Sequence, residues 1–523
     1  MKKKKKLKKE QRQKLKEAAK ERKEARANLF ECSTQSRTLV LYHPECLEHI
    51  PKAEGDWENP DRINSIMERI QQIHAGSDTP PIYPREIQIS QEFERAKLDL
   101  LSRVHSTEYL NFVNELSKDL ERQQKEQNAN SGKNKDDFGA PPVVPFTPMV
   151  QRSMAKIQAS SVKMSEHSDT SFSVGSLRAA RRAAGAVQHA VDCVLVGRHR
   201  NAFCIVRPPG HHAGINGLLD GGESCGFCIF NSVAAGAMHA ISDERLMCER
   251  CAIVDLDAHH GNGTEEIVRK CHDPGKLFFF SIHLYDNDRK GKRETKSNQY
   301  KFYPGTGDED DLPLNIINVP ITPLWKEVNP VPVGGTHNTR HRSRIRASQS
   351  DDGSSSETGT PRVSDAEVDS SLTRASSPTT GSSGSGGGRQ AYRKAIQNRL
   401  LPALRAFNPD LILISAGFDA CKGDVGNAKH EIGGKEKMGI DLEPEDYAWT
   451  TSKILEIADI CCQGRVVSVL EGGYGRHPVS GVYGQAEPLD KSLFSECAIR
   501  HAHAMIDPYN VEERFGSSRK NSL

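Results

Sequence analysis

The chain has 523 residues, 36% of them hydrophobic, and a formal net charge of +2. That is enough material for one large α/β domain or several small ones with a sizeable core, and the near-neutral balance names no partner class by itself. Thirteen cysteines fall without regular spacing, and neither a signal-peptide pattern nor a long apolar run is visible. This argues against a small disulfide scaffold and for a soluble protein in a reducing compartment with no membrane partner.

In chain order, residues 1–36 read as a basic, charged arm in which Lys2 to Lys6 run unbroken and apolar residues are too sparse to build a core. Five lysines in a row favour nuclear import or contact with a polyanion, so the protein is expected to be nuclear, with shuttling to the cytoplasm left open. The arm carries no interleaved aromatics, so sequence-specific nucleic-acid binding is not expected. A domain is expected over 37–325, interrupted by a polar stretch near Leu120 to Gly139.

Five short apolar runs in the rest of the chain each stop at a polar loop marked by glycine or histidine. Ala202 to Val206 leads into Arg207-Pro-Pro-Gly-His211-His212, and Cys251 to Val254 into Asp255-Leu-Asp257-Ala-His259-His-Gly-Asn262. Leu277 to Phe280 leads into Ser281-Ile282-His283, Leu411 to Ile414 into Ser415-Ala-Gly-Phe-Asp419, and Val466 to Leu470 into Glu471-Gly-Gly-Tyr474. Helical patterns at Ser176 to Val196, Asn231 to Ile241, Gln390 to Phe407 and Pro444 to Cys462 lie among them. Alternating strands and helices predict a parallel sheet, whose ligands collect beyond the carboxyl ends of the strands.

Lys326 to Gly388 is dominated by Ser, Thr, Gly, Arg and Asp and closes on a Gly/Ser run. It reads as a disordered insert, residues 326–388, within one domain that resumes over 389–508 and ends in a tail over 509–523.

Alternation along a strand sets Asp255, Asp257 and His259 on one side, and an Asp and His pair suits a divalent metal of the zinc type. Asp257, His259 and Asp419 then supply three protein ligands, which leaves positions open for water and a carbonyl. His211 and His212 offer proton transfer, the Tyr474 hydroxyl offers oxyanion stabilisation, and Asp255 and Asn262 can orient the imidazoles. A competing site is suggested by Cys225-x-x-Cys228 and Cys248-x-x-Cys251. The helix between them separates the two pairs by roughly 15 Å at ~1.5 Å per residue, too far for one ion.

In these motifs, together with Gly226-Phe227-Cys228-Ile-Phe-Asn231 and Phe302-Tyr303-Pro-Gly-Thr-Gly307, the chain resembles the zinc-dependent histone deacetylases, most closely their class II branch. The resemblance covers roughly Thr38 to Trp325 and Gly386 to Tyr474. It implies the arginase/deacetylase fold, a single α/β domain with a central parallel sheet flanked by helices, and Zn²⁺ on Asp257, His259 and Asp419. It implies His212 as general base and acid, with His211 in an electrostatic role paired to Asp255. It further implies a tunnel for the lysine methylenes at Gly226, Phe227 and Tyr303, and a structural K⁺ at the Ser281 hydroxyl and the main-chain carbonyls of Asp255, Asp257, His259 and Ile282.

Two loops depart from the family pattern by their length, Gly214 to Glu223 and Cys421 to Met438, and Met438 is the candidate gate residue. The expected activity is hydrolysis of acetyl-lysine in histone tails or other proteins, in chromatin repression and within a corepressor complex. An acetylpolyamine deacetylase and a catalytically weak reader or scaffold are the alternatives.

Overall fold

In the computed structural model the described residues are 37–52, 56–75, 87–130, 141–146, 169–217, 224–286, 302–325, 388–430, 436–478 and 488–515. The chain divides into two compact units, one formed by Met1–Lys326 with Gly386–Leu523 and the other by Glu327–Ser385. The second unit, the 1–36 arm and nearly all of the expected insert lie outside the described residues.

Twelve strands are described: β1 (Thr38–Leu41), β2 (Ile87–Ser90), β3 (Val143–Pro145), β4 (Ser171–Ser173), β5 (Asn201–Cys204), β6 (Cys251–Asp255), β7 (Leu277–Leu284), β8 (Ile316–Ile321), β9 (Leu411–Ala416), β10 (Ala428–His430), β11 (Glu436–Met438) and β12 (Val466–Leu470). Eight of them form one sheet in the order β2-β1-β5-β12-β9-β6-β7-β8, and every pairing in it is parallel. Strands buried on both faces read as near-continuous apolar runs, and β6, β7, β9 and β12 are buried at every position, with polar residues such as Asp255 and Ser281 toward the carboxyl ends. The remaining strands make two small antiparallel pairs, β3 with β4 and β10 with β11.

Eight helices matter here: α1 (Asp61–Ala75), α2 (Thr107–Asn130), α3 (Ser176–Leu195), α4 (Ser232–Ser242), α5 (Asn262–Arg269), α6 (Arg389–Ala395 continuing through a π-helical Ile396–Leu400 into Leu401–Phe407), α7 (Pro444–Cys462) and α8 (Ser492–Ile506). Their ends follow local chemistry. The Asn231 side chain accepts the Ala234 amide at 2.9 Å to start α4. Helix α7 opens on Pro444 with a capping box between Glu443 and Asp446, and left-handed Gln463 and Gly464 end it. The parallel sheet flanked by helices is the arrangement of the arginase/deacetylase fold.

Three segments differ from the expectation. Ser281, Ile282 and His283 are not in a loop but continue β7 to Leu284, because β8 pairs with that end of the strand from Phe279 to Leu284. The polar stretch from Leu120 begins as the last turns of α2, whose first half buries Tyr109, Leu110, Val113, Leu116 and Leu120 while residues 121–129 are not buried. Part of the expected tail is a short helix, Val511–Phe515, with the Phe515 ring stacked 4.2 Å from that of His503.

Several histidines are built into the core as neutral groups. Burial pushes His105 down to about 4 and His501 to about 3. His105 bonds the Gly214 carbonyl at 2.8 Å, and His501 bridges Thr451 and Ser468 at 2.6 and 2.8 Å. His503 is likewise held at about 3 by burial and by the charges of Arg500, Arg69 and Arg514. The folded pKa lies below the unfolded one in each case, so below pH ~6.5 the unfolded chain takes up more protons and stability falls as pH drops toward the folded values. Each group should cost ~1.4 kcal/mol at pH 5.5 relative to pH 7.5. His501→Gln removes one such contribution, so its denaturant midpoint should drop less, or rise more, than that of the wild type between pH 7.5 and 5.5, and an identical pH dependence in the two would contradict neutral burial.

Candidate active site

The parallel register brings three strand ends together. Asp255, the last residue of β6, pairs with Ser281 on one side and Ser415 on the other, and β12 lies beyond β9. The loops that follow β6, β9 and β12 therefore start side by side and carry Asp257 and His259, Asp419, and Glu471 and Tyr474. The loop after β5 brings His211 and His212 to the same edge.

Asp257, His259 and Asp419 each offer a ligand atom, and these atoms lie within 4.8 Å of one another. His259 Nδ1 is 3.0 Å from Asp257 Oδ1 and 2.8 Å from Asp419 Oδ2. The other carboxylate oxygens are tied to the backbone: Asp257 Oδ2 accepts the Gly472 amide and Asp419 Oδ1 the Ala258 amide, each at 2.8 Å. Two carboxylates at most 1% exposed are thus pointed at one spot. Burial and the neighbouring Asp257 push Asp419 up to about 6, and His259, against its burial, is drawn up to about 9 by the two carboxylates. A divalent cation fits this donor set of two carboxylates and one imidazole in charge and in ligand type.

His211 and His212 lie with ring centroids 4.0 Å apart but in opposite electrostatic settings. His211 Nδ1 is 2.9 Å from Asp255 Oδ2, and its Nε2 is 3.8 Å from Asp257 Oδ2. Burial opposes its charge, yet Asp255 and Asp257 hold it well above the usual histidine range. His212 Nδ1 lies 2.7 Å from the side-chain Oδ1 of Asn262, to which it donates, leaving Nε2 as the basic nitrogen. Burial and its histidine neighbours hold His212 neutral.

Tyr474 is fixed by contacts that sequence reading did not supply. Asp424, buried after β9, accepts the amides of Tyr474 at 2.9 Å and Gly475 at 2.7 Å through Oδ2, and that of Gly426 at 2.9 Å through Oδ1. The guanidinium of Arg62, at the start of α1, donates to the carbonyls of Gly473 at 2.6 Å and of Glu471, and lies 5.0 Å from the centre of the Tyr474 ring. Glu58 neutralises Arg62 at 3.1 Å and Arg207 at 2.7 Å, the latter in bidentate fashion. Glu471 accepts the amides of Gly210 and His211 at 2.7 and 3.2 Å and so fixes the backbone that carries the histidine pair. Burial pushes Glu471 up to about 7. Arg62, Glu58 and Asp424 stand in none of the motifs read from the sequence, and Arg207 and Glu471 stand in motifs that gave them no role of their own.

The expected tunnel residues converge on the same point. Tyr303 lies with its ring 4.8 Å from that of His212 and donates to the Ser224 carbonyl at 3.1 Å, and the Phe227 ring meets Tyr474 edge-on at 5.4 Å. Gly226 has φ +53°, and a Cβ there would fall 2.3 Å from His212 Cδ2, so only glycine allows this approach. Met438 pairs with Ala428 in the β10–β11 hairpin, and its side chain lies outside the described residues. From the same loop it is Gly426 that lies against the site, where a Cβ would fall 2.7 Å from that of Asp419 and 3.1 Å from Tyr474 Cε2. The Ser281 hydroxyl lies 2.9 Å from His283 Nδ1, and Ile282 is fully buried. Among the described residues the clusters at metal-ligand distance are Asp257, His259 and Asp419, and His211, Cys228 and Glu471. Neither holds two cysteines.

The model of the histone deacetylase domain matches residues 56–486. Similar curated proteins include two from Dictyostelium discoideum. Type-2 histone deacetylase 1 is 29% identical over 84% of this chain and 28% of its own length, and type-2 histone deacetylase 2 is 30% identical over 91% and 21%. Histone deacetylase 15 of Arabidopsis thaliana is 28% identical over 67% of this chain and 48% of its own length. The chain thus spans less than half the length of these three relatives. The crystal structure of an HDA15 HD domain superposes with a TM-score of 0.55 at 23% identity, covering 91% of each chain, and supports the fold. With the matched domain spanning most of the sequence, the chain belongs to the histone deacetylase family, in its class II branch.

Proposed function

We propose that this chain is a zinc-dependent protein lysine deacetylase that hydrolyses N6-acetyl-lysine to lysine and acetate. The observation that carries the reading is the nearness of two groups: a neutral His212, oriented by Asn262 and with its ring 6.1 Å from that of His259, and the Asp257, His259 and Asp419 trio, with Tyr474 beside them. Zn²⁺ held by the trio would supply Lewis acidity toward the amide carbonyl and its attacking water. His212 Nε2 takes a proton from that water and returns it to the departing lysine amine, a role for which its Nδ1–H donation to Asn262 fixes the tautomer. His211, charged against Asp255, contributes a fixed positive field. The Tyr474 hydroxyl donates to the carbonyl oxygen as negative charge develops, on a loop held rigid by Asp424 and Arg62. Phe227 and Tyr303 give the lysine methylenes an apolar passage.

Acetylated histone tails are the proposed substrates, with a role in transcriptional repression, a corepressor complex as partner and the nucleus as the place of action. The family relationship and the basic 1–36 arm support this reading. The in-register neighbours Asp255, the last residue of β6, and Ser281, within β7, mark the proposed K⁺ site.

Asp257→Ala and Asp419→Ala each remove one of three protein ligands. Both should lose stoichiometric zinc, measured by elemental analysis, together with turnover of an acetylated histone peptide. Full zinc content in the double variant would refute the ligand assignment.

Tyr474→Phe keeps the ring and its packing, so zinc content should persist while turnover falls ~10² to 10³-fold. Asp424→Ala frees the three amides that fix the Tyr474 loop and should lower turnover in the same direction with zinc retained. Unchanged turnover in Tyr474→Phe would place the activity elsewhere.

A further inference from the structure

The imidazole of His259 has its described hydrogen bonds on one edge. Both fall on Nδ1, which faces Asp257 and Asp419. Metal-binding histidines are commonly fixed in orientation by a hydrogen bond on the second ring nitrogen. Here the plane is set by a flat neighbour instead. The Phe302 ring is stacked on His259 with centroids 4.8 Å apart and 11° between planes. Phe302 is itself backed by Trp325, 5.7 Å away at 43°, and its amide is tied to Asp286 Oδ1 at 2.8 Å.

Trp325 stands four residues beyond the end of β8, where the described chain stops before residues 326–387, and Gly388 marks the point at which it resumes. The two ends meet. A Cβ on Gly388 would lie 3.1 and 3.2 Å from the two Cδ atoms of Leu324 and 3.0 Å from the Ile440 carbonyl. The Leu324 amide donates to the Gly439 carbonyl at 2.9 Å, and the Ile440 amide to Asn427 Oδ1 at 2.7 Å. The residue before Trp325 is therefore tied to the 439–440 segment, and this anchored backbone carries the Trp325 ring that packs on Phe302.

We infer that Trp325 is a positioning residue for His259, acting through Phe302 to hold the imidazole plane so that Nδ1 meets the metal together with Asp257 and Asp419. The inference rests on the reading of His259 as a metal ligand. A ligand set of this kind tolerates only about 10–20° of misorientation, and a ring without its flat support turns more freely than that about its Cβ–Cγ bond. The residue neither touches substrate nor donates to the metal. It acts on the metal site through one intervening ring.

The test uses the full chain loaded with Co²⁺, whose visible absorption reports ligand geometry, and a competing chelator to measure affinity. Trp325→Ala should weaken Co²⁺ binding about 10-fold or more, the range typical of groups that orient a ligand, and change the absorption spectrum. Trp325→Leu preserves bulk without a flat face and should behave like Ala, whereas Trp325→Phe should restore both readouts. In the weakened variants kcat on an acetyl-lysine peptide should fall with KM nearly unchanged. Thermal melting of the zinc-free proteins checks folding, and Trp325→Leu carries the test if the alanine variant does not fold. Wild-type affinity and spectrum in folded Trp325→Leu would overturn the inference. A wild-type protein whose bound Co²⁺ is unaffected by Asp257→Ala would overturn both the inference and the ligand assignment beneath it.

Discussion

Two buried carboxylates pointed at the same spot are the constraint on which the rest of the site depends. Asp257 and Asp419 come from the loops after adjacent strands, β6 and β9, and each spends one oxygen on a backbone amide of a neighbouring loop. Burying one charge without a partner is expensive, and burying two of the same sign side by side more so. The fold meets this cost partly with His259 and His211, and a divalent cation would complete the neutralisation. The same two amide bonds make the metal trio the point at which the loops after β6, β9 and β12 are joined.

Around that centre the site is built from further buried charges, each with a specific partner. Arg207 and Arg62 share Glu58, and Arg62 spends its remaining donors on carbonyls of the Tyr474 loop. Asp424 gathers three amides, including that of Tyr474, and Glu471 gathers two, including that of His211. Carboxylates that accept several backbone amides fix loop geometry more tightly than packing alone, which suits a reaction that needs a donor and a base at defined points. The opposed settings of His211 and His212 follow from the same economy. One imidazole is given carboxylates and the other an amide oxygen.

Much of this was legible in the sequence because a buried parallel strand must be apolar and must end where chemistry begins. β6, β9 and β12 were readable from their apolar runs, and so were the residues at their ends. β8 was not, since it holds an asparagine and a proline and sits at the sheet edge. β1 and β2 are four residues each and carry no motif. The extension of β7 through Ser281 to Leu284 was hidden by its polar residues, which the β8 partner and a bond between Ser281 and His283 satisfy. Arg62, Glu58 and Asp424 were invisible because their roles come from contacts tens or hundreds of residues away, as in the 411 positions that separate Arg62 from Gly473. In the loop after Asp419 the side chain of Met438, the expected gate, lies outside the described residues, and the approach of Gly426 to Asp419 and Tyr474 gave no signal in the sequence because glycine has no side chain.

The direct measurement of the central claim is thermal unfolding with and without Zn²⁺ for the wild type and for Asp419→Asn. If the facing carboxylates are a destabilising arrangement relieved by a cation, zinc should raise the wild-type midpoint markedly. The Asn variant without zinc should then melt at or above the zinc-free wild type while losing most of the zinc-dependent increase. Equal wild-type midpoints with and without zinc, or a zinc-dependent increase undiminished in Asp419→Asn, would contradict the account.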